Sequence, residues 1–258
     1  RIKLKNKSIE RKLFFNPSLY LGEGYMNQDF LIEKGTIEDL INFASLGYDE
    51  FIRNNKFYKY YEYFSSIIKP FQQINRLVNS KKNVSHHYDL KEDLYKLFLD
   101  KDMQYSCAYF HNSNISLDQA QVDKKLHIIK KLQINENMKV LDIGCGWGGM
   151  AIEIAKITGA KVKGITLSEN QFLTASKRAQ REGLADKVSF SLQDYRHENQ
   201  SYDRIVSVGM FEHVGIKYFK TFLKKTYELL NDKGVFLLHT IGQRGEPTAT
   251  NPWIRKYI

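Results

Sequence analysis

Apolar and polar positions follow two regimes along the chain. In the second half, short apolar runs recur at Lys139–Ile143, Lys161–Thr166, Val188–Leu192, Arg204–Val208 and Val235–His239. Runs of this length, bounded by turn residues, predict buried strands. Between them the apolar period lengthens to that of a helix over Met150–Thr158, Glu169–Glu182 and Tyr218–Leu230, and another helix is expected near Gln119–Leu132. Strands alternating with helices predict an α/β fold: a parallel sheet covered on both faces.

The first half is less regular. Pro17 suits the first turn of a short helix ending near Met26, Phe30–Ile32 suits a short strand, and Thr36-x-x-Asp39 opens a helix through Leu46 as a capping box. Residues 51–82 read as a helix dense in aromatics (Phe57, Tyr58, Tyr60, Tyr61, Tyr63, Phe64, Phe71), which Pro70 should kink or break. Lys81-Lys82-Asn83 reads as a linker, followed by a loop-rich segment, Val84–Ser116. The expected partition is a small mixed, mostly helical region over residues 1–82 and a Rossmann-like domain over 83–258.

Composition changes this picture little: 42% apolar and 26% charged residues are ordinary for a globular protein. No apolar run approaches the ~18–20 residues of a membrane span, and no signal-peptide pattern opens the sequence. Cys107 and Cys145 give neither a disulfide framework nor zinc-type spacing. The cytoplasm is the default expectation.

Charge changes it more. Lys+Arg 39 against Asp+Glu 29 gives +10, a field that favours an anionic partner, whether nucleic acid or a phospholipid surface. The first sixteen residues concentrate it, with Arg1, Lys3, Lys5, Lys7, Arg11 and Lys12 against Glu10. Because the chain opens on Arg1 and stops within the aromatic-rich Trp253–Ile258, it reads as a fragment.

Val140–Gly149 is a strand running into a glycine loop and a helix, an arrangement that brings ligand phosphate or carboxylate close to backbone N–H groups. Gly144-x-Gly146-x-x-Gly149 also satisfies the dinucleotide fingerprint, so the loop alone fits either NAD or S-adenosyl-L-methionine. Asp142 favours the latter, because a carboxylate within the strand attracts an ammonium and a sulfonium, whereas a pyrophosphate would be repelled. The candidate contacts there are Asp142, Gly144, Cys145 and Gly146. The next strand ends in Thr166-Leu167-Ser168, where an acid is expected for the ribose; hydroxyl or amide groups must serve instead. Gln171 is one candidate, although Ser168-x-x-Gln171 is equally a capping box. Gln193, Asp194 and Tyr195 follow the third strand and could hold adenine, with Asp194 accepting from its amino group. The block Asp203–His213 places Glu212 and His213 beyond the end of a strand, where open α/β sheets bind ligands.

Six ordered segments then become specific: His86–Leu90, Gln104–Phe110, Leu141–Gly149, Thr166–Gln171, Phe211–Gly215 and Leu238–Gly242. Together they resemble the cyclopropane-fatty-acyl-phospholipid synthase family, which includes the mycolic acid cyclopropane synthases. The likeness runs from about Val84 to the last residue, with a weaker one over Asn16–Gly35. It implies a class I methyltransferase that transfers a methylene from S-adenosyl-L-methionine to a cis double bond of an unsaturated phospholipid. Tyr105 and Ser106 join the cofactor set on the same ground. The resemblance further implies a bound bicarbonate as base, held by Cys107, Glu212, His239 and a backbone group of Ile241. Glu212 acting directly is the simpler alternative. An alkene is a weak nucleophile, so the sulfonium must be held close and in line, away from water. Aromatic faces can stabilise the carbocation that methyl addition leaves; Tyr88, Tyr105, Tyr109, Phe110 and Phe211 are available, though each also suits core packing.

The family also uses a tyrosine and two closing strands further toward its C-terminus, which would lie after residue 258; without those strands the sheet edge is expected to be unpaired. Competing readings are a lipid methyltransferase giving a methyl-branched product and a non-catalytic lipid-binding relative. Nucleic acid is not expected as a partner, because Met210-Phe211-Glu212-His213 stands where amino-methylating enzymes carry a polar-Pro-Pro-aromatic loop. The expected partners are membrane phospholipid and an anionic lipid surface, met by the basic and aromatic residues of 1–82. The protein would then be peripheral at the inner face of the membrane, and a homodimer is also allowed.

Overall fold

The chain divides into two units, residues 1–73 with 244–258 and residues 74–243. The structure, a computed structural model, describes residues 1–54, 60, 92–242 and 251–257. In the first unit β1 (Ile2–Leu4) pairs antiparallel with β2 (Phe30–Ile32), and α1 (Lys7–Phe15) and α2 (Pro17–Met26) connect them. Asn6 caps α1, its Oδ1 accepting from the N–H groups of Ser8 (2.9 Å) and Ile9 (3.1 Å). Asn16 caps α2, with Pro17 at its first position.

The expected capping box closes in both directions at α3 (Ile37–Asn54): the Asp39 N–H donates to Thr36 Oγ1 (3.2 Å) and the Thr36 N–H to Asp39 Oδ2 (2.7 Å). α3 runs past the expected end at Leu46. Ile9, Phe30 and Leu40 form the core of this unit. The helix Pro252–Tyr257 also packs here, and its Lys256 and Tyr257 donate to Glu23 (2.5 and 3.0 Å). That segment was expected to belong with the methyltransferase part of the chain. Beyond Asn54, the expected aromatic helix to residue 82 and the linker at 81–83 lie outside the described residues, Tyr60 apart.

The second unit contains α4 (Glu92–Lys96), α5 (Leu117–Leu132), β3 (Lys139–Ile143), α6 (Gly149–Thr158), β4 (Lys161–Thr166), α7 (Glu169–Arg181), β5 (Val188–Leu192), β6 (Tyr202–Val208), α8 (Phe219–Glu228) and β7 (Leu230–His239). Its strands form a parallel sheet in the order β5-β4-β3-β6-β7. β7 begins five residues before its expected start at Val235, taking over the end of the expected last helix, and a register shift against β6 absorbs the extra length.

The two faces of β3 show why the sheet is a double-sided core. Val140 packs with α5, α6 and α7, whereas Leu141 and Ile143 pack with α8. A side-chain period of two therefore puts Asp142 on the Val140 face, beneath α5. Arg204 shares that face of β6, and its guanidinium donates to the Leu132 carbonyl at the end of α5. The helix after β3, α6, packs on one face and the helix after β6, α8, on the other, so a crevice opens at the carboxyl ends of β3 and β6. Among the described residues, no helix is long and apolar enough to cross a membrane.

Candidate functional site

That crevice holds an open cleft of about 140 Å³. Its wall brings together Tyr105, Ser106, Asp142, Gly144, Cys145, Gly146, Thr166, Leu167, Gln171, Gln193, Asp194 and Tyr195, from segments the sequence analysis had singled out. The loop after β3 is shaped by two glycines with positive φ. A Cβ on Gly144 (φ +80°) would approach Met210 Cγ to 2.6 Å, while one on Gly146 (φ +55°) would meet only open space. Gly146 thus leaves its backbone open to a ligand.

Asp142 is buried to 1% exposure, and its Oδ2 has no hydrogen-bond partner among the described residues. Burial pushes its carboxyl up to about 7, and Lys124 pulls it partly back. A buried carboxylate with an open acceptor at a ligand cleft suits a cationic group.

Thr166 and Gln171 form one unit, since the Thr166 hydroxyl donates to Gln171 Oε1 (2.8 Å). This leaves the Gln171 NH₂ as the donor end of a side chain that lines the cleft. Ser168 is absent from the cleft wall. It is fully buried and caps α7, accepting from the Gln171 N–H (3.2 Å), so one half of the anticipated capping box forms.

Asp194 is gripped by Arg196, whose Nε and terminal nitrogen donate at 2.8 and 2.7 Å to its two oxygens. That pairing holds the Asp194 carboxyl below the usual range despite burial. An amino group meeting Asp194 would have to use its remaining lone pairs. Gln193 turns its amide toward Glu198 (3.1 Å).

A second cavity, about 560 Å³, adjoins the first. Gln104, Tyr105, Ser106, Gly209 and His213 line both. Cys107, Glu212, His239 and Ile241 all lie in the wall of the second. Glu212 Oε1 accepts the Ile241 N–H (2.7 Å), His239 Nδ1 is buried without a hydrogen-bond partner among the described residues, and Cys107 is a free, exposed thiol. Glu212 and His239 thus line the cavity next to the glycine-loop cleft.

The aromatic candidates separate. Tyr105 and Phe110 line the second cavity, Tyr109 stacks on His127 at 4.8 Å, and Phe211 stacks on Phe219 at 4.1 Å. Tyr88 lies outside the described residues.

Several wall residues escaped the sequence analysis. Trp147 and Met103 line the first cleft, Arg196 braces Asp194, and Phe98 and Leu99 make the second cavity apolar. Arg196 alone had a readable signal, as a base two residues beyond an acid in a turn; the others depend on tertiary packing.

A family model described as mycolic acid cyclopropane synthetase matches residues 75–258, and one for a domain of unknown function matches residues 1–56. Cyclopropane-fatty-acyl-phospholipid synthase of Escherichia coli strain K12 is 38% identical over 261 residues, covering 100% of this chain and 65% of that protein. The chain spans less than two thirds of the length of the curated relatives it matches. Among solved structures, a cyclopropane synthase from Mycobacterium tuberculosis is 36% identical with a TM-score of 0.60, over 62% of this chain and 56% of that one. A mycolic acid cyclopropane synthase complexed with SAH and CTAB is 35% identical with a TM-score of 0.60, over 61% and 55%. These likenesses agree with the class I methyltransferase fold of the second unit, and the chain belongs to the mycolic acid cyclopropane synthetase family.

Proposed function

We propose that the protein binds S-adenosyl-L-methionine in the first cleft and adds its methyl carbon, as a methylene, across the cis double bond of a phospholipid acyl chain in the second cavity. The observation that carries this reading is the shared wall: the glycine-loop cleft and the cavity lined by Cys107, Glu212, His239 and Ile241 have five residues in common. A methyl donor and an alkene held on either side of such a wall meet the proximity that a weak nucleophile demands. The relatives named as cyclopropane synthases, one of them crystallised with SAH, support it.

S-adenosyl-L-methionine supplies the electrophilic methyl, and the chain orients it. Asp142 attracts its cationic groups, Gly146 admits the backbone approach, and the Thr166–Gln171 pair offers hydroxyl and amide contacts to the ribose. Phe98, Leu99 and Phe110 keep the second cavity dry. Cys107, Glu212, His239 and the Ile241 N–H suit a bicarbonate, which when bound supplies a base for the proton released on ring closure. The unpartnered His239 Nδ1 and the Ile241 N–H beside Glu212 are the features that fit it. Glu212, with one oxygen fixed by Ile241 and the other open, could hold that proton itself. The basic side chains of residues 1–16, together with Phe14 and Phe15 exposed at 55% and 60%, support docking on an anionic lipid surface at the inner face of the membrane.

The test is to incubate the full-length protein with labelled S-adenosyl-L-methionine and unsaturated phospholipid vesicles, then read the acyl chains by mass spectrometry. Gain of one CH₂ with loss of the double bond is expected. A methyl-branched product would remove the ring-closure step, and unlabelled lipid would overturn the substrate.

A further inference from the structure

The wall between the two cavities is a short irregular segment, Met103–Cys107, with no strand or helix to hold it. An irregular backbone keeps a fixed position only where neighbouring groups pin it. The pins come from one face of α5, where Gln121, Lys124 and Lys125 sit at i, i+3 and i+4 and are each 3% exposed. The Gln121 amide donates to the carbonyls of Gln104 (3.2 Å) and Ser106 (3.0 Å). The Lys124 ammonium donates to Gln104 Oε1 (2.9 Å) and Ser106 Oγ (2.7 Å).

Lys125 does a different job: it pairs with Asp102 (2.7 Å) and Glu153 (3.2 Å), and Arg178 also grips Asp102. The Lys124 hydrogen bonds to Gln104 and Ser106, by contrast, go to neutral groups of the wall. A buried ammonium is costly, and burial drives Lys124 down to about 8. Asp100 and Asp102 just before the wall segment, Cys107 at its end and Asp142 on β3 favour its charged form, while Lys125 opposes it.

The chemistry of an ammonium adds a direction. It has donors only, so Ser106 Oγ must accept from Lys124, and the Ser106 proton is free to point into the cleft. The same contact fixes the Gln104 amide, whose Nε2 then donates to Asp102 Oδ2 (3.0 Å).

We propose that Lys124, assisted by Gln121, is a positioning residue that fixes the wall and turns the Ser106 hydroxyl as a donor toward an acceptor group of the methyl donor. This rests on the reading of the first cleft as the methyl-donor site.

The experiment compares wild type, Lys124→Met, Lys124→Arg and Gln121→Leu in the full-length protein. It reads the Kd of S-adenosylhomocysteine by calorimetry, and kcat and KM for each substrate on unsaturated phosphatidylglycerol vesicles, all well below each variant's melting temperature. Losing a charged hydrogen bond of ~1.5 kcal/mol corresponds to about tenfold, so Lys124→Met is expected to raise Kd and the donor KM about tenfold. Its kcat at saturating donor and its KM for lipid should stay within about threefold, and Lys124→Arg should recover part of the loss. Unchanged Kd in folded Lys124→Met overturns the proposal, as does a fall in kcat at constant donor KM. Should Lys124→Met fail to fold, Gln121→Leu decides: weaker S-adenosylhomocysteine binding supports the proposal and unchanged binding overturns it. Failure of the wild type itself to bind S-adenosylhomocysteine would overturn the methyl-donor reading, and this inference with it.

Discussion

Asp142 shows how a single residue makes a site pH-dependent. Its carboxyl is pushed up to about 7 because it is buried, with Lys124 and Cys145 as the titratable groups whose fields it shares among the described residues. The sign follows from the charge that a cationic ligand prefers. Below about 7 the empty site holds a proton on Asp142, and binding must release it; above that pH the carboxylate is already available. The Kd of S-adenosyl-L-methionine is therefore expected to rise as pH falls from 8 to 6, approaching one decade per unit at the acid end. Asp142→Asn should bind more weakly at pH 8 and lose that slope. Calorimetry across this range in two buffers of different ionisation heat checks both the slope and the proton release; a flat wild-type profile would remove Asp142 from the ligand's surroundings. The residue was visible in the sequence because an acid inside an apolar strand is conspicuous. Its counterpart Lys124 was not, because a lysine in an amphipathic helix ordinarily faces water, and only the packing of α5 on β3 buries it.

At the scale of elements, the hydrophobic pattern carries the sheet almost intact, since the central strands β4, β3 and β6 are largely buried on both faces and read as short apolar runs. It fails where local signals are weak. β1 and α1 escaped because Ile2–Leu4 is a three-residue strand amid alternating bases, and the cap on α1 is a lone Asn6 with no capping box. The start of β7 escaped because Asn231-Asp232-Lys233-Gly234 reads as a turn, yet it is drawn into the strand by a register shift. The candidate site was legible where residues sit on loops at strand ends. It was illegible where helices close over them, which is why Ser168 was expected in the cleft and is a buried cap. Gly164 tests the packing between elements. It lies mid-strand in β4, and a Cβ there would approach Phe190 Cδ1 to 2.6 Å and Cys145 Cβ to 2.9 Å, so glycine is needed for close approach. Gly164→Ala is expected to destabilise by about 1–3 kcal/mol through overpacking. Urea unfolding should show a lower midpoint at unchanged m; an unaltered midpoint would mean that Phe190 yields freely.

For the molecule as a whole, the net charge of +10 is unevenly placed, and that unevenness bears on the proposed docking on a lipid surface. Arg1, Lys3, Lys5, Lys7, Arg11 and Lys12 share the first unit with the exposed Phe14, Phe15, Phe43 (72%) and Leu46 (85%). Each basic residue near an anionic membrane contributes about 1 kcal/mol, within a Debye length of ~8–10 Å in ordinary salt. Apolar side chains add salt-insensitive burial once contact is made. The two contributions predict different responses. Binding to phosphatidylglycerol vesicles, followed by sedimentation, should weaken steeply between low and moderate salt and be weaker still on phosphatidylcholine. Replacing Lys3, Lys5, Lys7 and Lys12 with Gln should flatten that salt dependence, whereas Phe14→Ser with Phe15→Ser should lower affinity at every salt concentration and leave the slope in place. Vesicle binding indifferent to salt, or unaffected by the lysine replacements, would show that the basic residues of the first unit face water and that lipid is reached by other residues.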